Sequence, residues 1–158
     1  DFKSLPTFRP DKAIALEDLS AWNQWQDRLA TVSGQSVLNF DDSLKALKLR
    51  HDYFHEKGCR LSDHGVPRAY HCEFSSADVS AAFAKARAEQ DLNEQEKEIL
   101  CTAYMQAFAR WNAEKDWAMQ LHLGPMRNNN TKMFGIAGRD AGPNQSSPEL
   151  AHGGAQHW

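Results

Sequence analysis

The chain has 158 residues, 41% of them hydrophobic, enough to fill the core of one domain of ordinary size. Eighteen Lys and Arg against 21 Asp and Glu leave a net charge of −3, so no chain-wide basic field invites nucleic acid or an anionic membrane. No run approaches the ~18 apolar residues of a membrane-spanning helix, and the first residues lack the basic-then-apolar layout of a secretory signal.

The chain opens at Asp1 and soon reaches Leu5-Pro6-Thr7-Phe8-Arg9-Pro10, which reads as the middle of a protein, so a fragment is expected. Residues 16 to 32 place Leu16, Leu19, Trp22, Leu29 and Val32 at helical spacing, with Gly34 as a stop. Asp41 or Asp42 can cap a second helix carrying Leu44, Leu47, Tyr53 and Phe54, and Gly58 sits where a left-handed terminating residue is wanted. The segment from Cys59 to Gly65 is too short for a helix and reads as a buried strand ending in polar residues. Ser75 or Ser76 starts a helix to about Gln90, and Asn93 with Glu96 forms a capping box before the run through Ile99, Leu100, Tyr104, Phe108 and Trp111. A third strand is expected from Trp117 to Gly124, running into Pro125, Arg127 and three asparagines. The Gly/Pro/Asn/Ser-rich end, residues 136 to 158, reads as loop or linker.

The order strand, helices, strand, helices, strand favours a parallel sheet, in which ligands sit beyond the carboxyl ends of the strands. Arg9, Asp63, His64, His122 and Arg127 all fall at those ends. A guanidinium at Arg9 can clamp a carboxylate with two parallel hydrogen bonds, or merely pair with Asp11 on the surface. His122, on an otherwise apolar strand, suits a metal ligand, a general acid/base, a donor to a substrate oxygen, or a satisfied core residue. Asp63 and His64 are adjacent on a strand, so they point to opposite faces and are not expected to form a dyad. His51 and His55 share a helix face at a spacing that can bind zinc, but no HExxH glutamate accompanies them and solvated side chains are the expectation. Cys59, Cys72 and Cys101 have no CxxC spacing, which argues against a disulfide framework and fits a reducing cytoplasm. No GxGxxG or GxxxxGK[ST] phosphate loop occurs.

Three segments carry a family resemblance: Leu5-Pro-Thr-Phe-Arg-Pro-Asp-Lys12, Gly58-Cys-Arg-Leu-Ser-Asp-His-Gly65, and the long run from Gln120 through Leu-His-Leu-Gly-Pro-Met-Arg-Asn-Asn-Asn to Phe134. Over residues 1 to about 135 the chain resembles uronate isomerase (glucuronate isomerase), an outlying group of the amidohydrolase superfamily. The resemblance implies a helix-rich α/β fold, a TIM-like (β/α)8 barrel. A full barrel takes ~250 residues, so residues 1–135 would be its middle portion, with a helical excursion between strands. It further implies an aldose-ketose isomerase that interconverts D-glucuronate with D-fructuronate, or D-galacturonate with D-tagaturonate. Carried over by position, Arg9 resembles an active-site arginine, Asp63 a buried acidic residue, His122 the strand-end histidine near the substrate, and Arg127 a second substrate-contacting arginine. His122 and Asp63 are thus the expected catalytic pair, and Arg9 and Arg127 the expected uronate-binding pair. The family's metal-binding HxH pair and late aspartate have no counterpart here. A divalent metal such as zinc is therefore expected in the complete enzyme, with ligands mostly outside this chain. The expected partners are a small sugar acid and further copies of the same protein. Two other readings stay open: an inactive helical interaction or scaffold module derived from such an enzyme, and a zinc-binding helical domain using His51 and His55.

Overall fold

A short polar side chain starts each α-helix in the computed structural model, which describes residues 4–124. Asp18 accepts a hydrogen bond from the Ala21 N–H and opens α1, Leu19–Ser33. Asn39 accepts from the Asp42 N–H and opens α2, Phe40–Glu56. Capping boxes open α3, Ser76–Arg87, and α4, Glu94–Glu114: Ser75 and Asn93 each accept the N–H three residues on, while Asp78 and Glu96 reach back to the cap's own N–H. Each cap satisfies a donor that the first helical turn leaves unpaired and contributes about 1 kcal/mol. The second helix therefore starts earlier than the Asp41 or Asp42 cap expected from the sequence. Asn39 is extended (φ −141°), and both aspartates lie in the first turn, where the helix dipole favours their charge. Gly34 ends α1 in the left-handed conformation (φ 68°), as its position predicts.

Helix α4 is the centre of the core. Ile99, Leu100, Cys101, Thr102, Ala103 and Tyr104 are buried in succession, which requires neighbours on nearly every side. Helices α2 and α3, strand β2 and the 3-10 turn Asp11–Ile14 supply them. Aromatic rings meet edge-on across the interfaces, Trp22 with Phe83 at 5.3 Å and Phe40 with Tyr104 at 4.9 Å between centroids. One polar triangle sits among them. Gln26 Nε2 donates to the Tyr104 hydroxyl (3.2 Å), Ser43 Oγ donates to Gln26 Oε1 (3.0 Å), and the two hydroxyls are 2.8 Å apart. With Tyr104 donating to Ser43 the ring closes, and α1, α2 and α4 are joined without an orphaned polar atom among these three side chains.

Strands β1, Leu61–Val66, and β2, Ala118–Leu123, pair in parallel, with Asp63 beside Gln120 and Gly65 beside His122. The first expected strand is reduced to one parallel bridge, Phe8 to Ser62, in which the Phe8 N–H donates to Leu61 O and the Asp63 N–H to Phe8 O. The physical reason is the flanking prolines: Pro6 and Pro10 have no N–H for a ladder, and Pro10 leads directly into the 3-10 turn. Helices α1 and α2 lie between Phe8 and β1, and α3 and α4 between β1 and β2, so the expected alternation holds. The result is a helix-rich α/β arrangement with a small parallel sheet. A second apolar cluster of Phe8, Cys59 and Trp117, backed by Phe54, closes the strand-entry end. Among the described residues no helix is long and apolar enough to cross a membrane. The expected division near residue 135 and the tail 136–158 lie outside the described residues.

Candidate functional site

Side-chain alternation along β1 sorts its polar residues onto two faces. Ser62, His64 and Val66 are buried towards the helices, where the His64 ring stacks on Phe108 of α4 at 5.7 Å. Asp63 and Gly65 face the other way, as do Gln120 and His122 by register. Arg9 follows the bridged Phe8, whose ring is buried, and so turns to the Asp63 face.

On that face three sequence-predicted residues come together. Asp63 Oδ2 lies 3.5 Å from Arg9 Nη1, and Asp63 Oδ1 lies 3.0 Å from His122 Nε2. Arg9 and His122 expose 43% and 50% of their side chains while Asp63 exposes 19%, so the carboxylate is sheltered and both of its partners reach solvent. An open ion pair such as Arg9–Asp63 adds little to stability and leaves the guanidinium free to meet a ligand. The His122 contact is close but not aligned as a hydrogen bond, and Asp63 Oδ1 has no hydrogen-bond partner among the described residues. Gln120 Nε2 instead donates to His122 Nε2 at 3.1 Å. An imidazole nitrogen beside an uncommitted carboxylate oxygen is a place that attracts a substrate hydroxyl or its proton.

Behind the strand, Asp11 does more than the surface pairing with Arg9 that its spacing suggests. Its Oδ1 accepts from His64 Nδ1 (3.0 Å), and its Oδ2 accepts from the Gly65 N–H (2.9 Å) and Arg9 Nε (3.3 Å). Partial burial pushes the Asp11 carboxyl up, but His64, the Gly65 N–H and Arg9 outweigh it and hold the group below the ordinary carboxylate range. His64 Nε2 lies 2.8 Å from Ser62 Oγ, which accepts from Asn112 Nδ2 at 2.6 Å, and Asn112 Oδ1 is 3.1 Å from His51 Nε2. Sequence reasoning missed Asp11, Ser62 and Asn112 as members of this system. A carboxylate two residues after a strand-end arginine was the available signal for Asp11; a mid-helix Asn and a strand Ser gave none.

The expectation of solvated histidines on α2 is corrected. His51 is fully buried, edge-on to Phe8 at 5.2 Å and 4.1 Å from the Trp117 ring, because this turn of α2 packs against Phe8, Trp111 of α4 and Trp117. Burial, with Lys115 and Lys48 nearby, lowers its pKa despite the Asn112 contact and keeps the ring neutral. His55 Nδ1 accepts from Trp117 Nε1 at 2.9 Å, so the pair serves Trp117 rather than a metal. Asp63 and His122 offer two donor atoms, and among the described residues no three His, Cys, Asp or Glu side chains converge. The described residues do not by themselves form a ligand set for the expected divalent metal. Arg127 lies outside the described residues.

The family model described as glucuronate isomerase matches residues 1–152. The uronate isomerases of Cellvibrio japonicus and Bacteroides thetaiotaomicron are 44% and 42% identical over 138 and 142 residues, covering 87% and 90% of this chain. The chain spans 29% and 30% of those relatives' lengths. Among solved structures, uronate isomerase from Thermotoga maritima superimposes with a TM-score of 0.78 at 29% identity, over 88% of this chain and 31% of that one. Glucuronate isomerase from Caulobacter crescentus gives a TM-score of 0.73 at 29% identity, over 88% of this chain and 29% of that one. Asp63 stands in the middle of β1 rather than at the strand end expected from the sequence, and it is the shared face that brings it to Arg9 and His122. The family match along residues 1–152, the relatives' identities and the superposition on solved uronate isomerases lead to one conclusion: the chain belongs to the glucuronate isomerase family.

Proposed function

We propose that this chain is the middle portion of a (β/α)8 barrel in a uronate isomerase, with α1 to α4 as helical excursions between barrel strands. The complete enzyme would interconvert D-glucuronate with D-fructuronate, and D-galacturonate with D-tagaturonate. The observation that carries the reading is the meeting of guanidinium, carboxylate and imidazole on the Asp63 face of the sheet. Exposed Leu121 and Leu123 on β2 suit a surface that the rest of the barrel covers. Cytoplasmic location, assembly with further copies and a divalent metal held mainly from outside this chain belong to the same proposal.

Aldose-ketose isomerisation moves one proton between C1 and C2 and another between their oxygens, so it needs a base, an acid and a stabilised enediolate. In this reading His122 Nε2 carries a proton at the reacting carbons or oxygens, and Asp63, sheltered beside it, balances the charge that develops on the ring. Arg9 binds the uronate carboxylate from the open side of Asp63, and Arg127 contributes a second guanidinium. A base shared with solvent exchanges its proton. Isomerisation by the full-length enzyme in deuterated water should therefore place deuterium at the carbon that gains a proton, read by NMR of the product. Complete retention of substrate hydrogen together with unchanged turnover in His122→Asn would remove His122 from the chemistry.

A further inference from the structure

A line of buried hydrogen bonds runs behind β1 and ends at Arg9, and its direction follows from the chemistry of its members. Asp11 presents a carboxylate, which only accepts, so the hydrogen sits on His64 Nδ1. In a neutral imidazole the other nitrogen accepts, so the Ser62 hydroxyl donates to His64 Nε2. The Ser62 oxygen then has lone pairs to spare, and one takes the Asn112 Nδ2 hydrogen. Asn112 Oδ1 in turn accepts from His51 Nε2. Reversing the Asn112 amide would turn the Ser62 hydroxyl away from His64. The consequence would be either a bare Nδ1 against the Asp11 carboxylate or a charged ring with no exposed surface, and both are costly. One direction is left.

Asp11, His64 and Ser62 reproduce the order of a hydrolytic triad, yet Ser62 and His64 are wholly buried and Asn112 is 2% exposed, so no substrate reaches the hydroxyl. The outlet of the line is its other end. We propose that His64, held as the Nδ1–H tautomer by Ser62 and Asn112, is a positioning residue: it orients Asp11 so that Oδ2 grips Arg9 Nε and the Gly65 N–H, keeping the Arg9 guanidinium aimed at the Asp63 face. A long arginine side chain that is already held loses less conformational freedom when a carboxylate arrives. The proposal rests on the reading of Arg9 as a substrate-binding residue for its kinetic consequence, but not for the tautomer.

Two measurements on the full-length enzyme test it. Long-range proton–nitrogen NMR of 15N-histidine-labelled protein, with His64→Asn as the assignment control, should show His64 as a neutral Nδ1–H ring; an Nε2–H ring overturns the relay whatever the kinetics. In steady-state kinetics, His64→Leu should raise KM for the uronate ~10-fold with kcat within about threefold, the pattern of lost binding that is uniform between ground and transition states. His64→Asn, which keeps an N–H donor facing Asp11, should stay within about threefold of wild type, a rescue that a merely space-filling role would not give. Ser62→Ala changes the side-chain volume far less than His64→Leu and should shift KM in the same direction by about threefold or more, so it decides the matter if His64→Leu fails to fold. An unchanged KM in Ser62→Ala, or kcat and KM lost together in a folded His64→Leu, overturns the positioning role. If Arg9→Met itself leaves the uronate KM unchanged, the substrate-binding reading of Arg9 is what fails, and the NMR result still judges the relay.

Discussion

Asp11 Oδ1 and His64 Nδ1 lie 3.0 Å apart, with the imidazole wholly buried and the carboxylate held by three donors from two places in the chain, Arg9 beside it and His64 and Gly65 on β1. The contact joins the 3-10 turn after Phe8 to β1, so it fixes the strand-entry segment as well as Arg9.

Asp11→Asn should therefore lose stability near neutral pH, about 1.5–3 kcal/mol for hydrogen bonds to a charged acceptor. The folded carboxyl is held below its unfolded value of ~3.9, so its contribution is fully present above that pH and fades as pH falls through the folded pKa. Unfolding free energies of wild type and variant should be well separated at pH 7, and the gap should narrow as pH falls below about 4. A gap that stays constant over that interval would mean that the charge contributes nothing.

Tyr104→Phe removes the hydroxyl that closes the ring with Ser43 and Gln26, leaving a buried donor and acceptor unpaired at a cost of about 1–3 kcal/mol. Adding Ser43→Ala should cost less in the Tyr104→Phe background than in wild type, by about 0.5 kcal/mol or more. Additive losses in the double-mutant cycle would show that the triangle has no cooperativity.

Arg9→Met and Arg127→Met in the full-length enzyme should each cost about 2–4 kcal/mol of transition-state binding for a uronate, seen in kcat/KM. An uncharged sugar of the same stereochemistry should be affected much less. Uronate kinetics within about twofold of wild type in both variants would make the arginines structural.

The helices were legible because their signals are local: the Asn93–Glu96 box and the Gly34 stop stand where the chain spacing puts them. The same holds for opposite facing of Asp63 and His64, which follows from a period of two. What was not legible depended on which face a helix turns inward. His51 sits among charged neighbours on a helix whose Tyr53 is 44% exposed, and contacts with Phe8, Trp111 and Trp117, all distant along the chain, make it a core residue. Asn112 and Ser62 are chemically unremarkable until the fold sets them 2.6 Å apart. The strand at Phe8 shrank to a bridge for a reason visible in advance, since two prolines bracket it.

The order of the extended segments also bears on how the sheet is made. Phe8, β1 and β2 lie side by side in the order in which they are synthesised, each against its immediate predecessor. No segment has to insert between two already paired, so the sheet can grow at one edge as the polypeptide emerges. Each addition must wait for a helical pair to form first, and the boxed starts of α3 and α4 help that local step precede the long loop closure that brings Ala118 to Leu61. Among the described residues the last edge to form is β2, whose Leu121 and Leu123 are exposed, and it is there that a stalled chain would be most prone to stick to its neighbours.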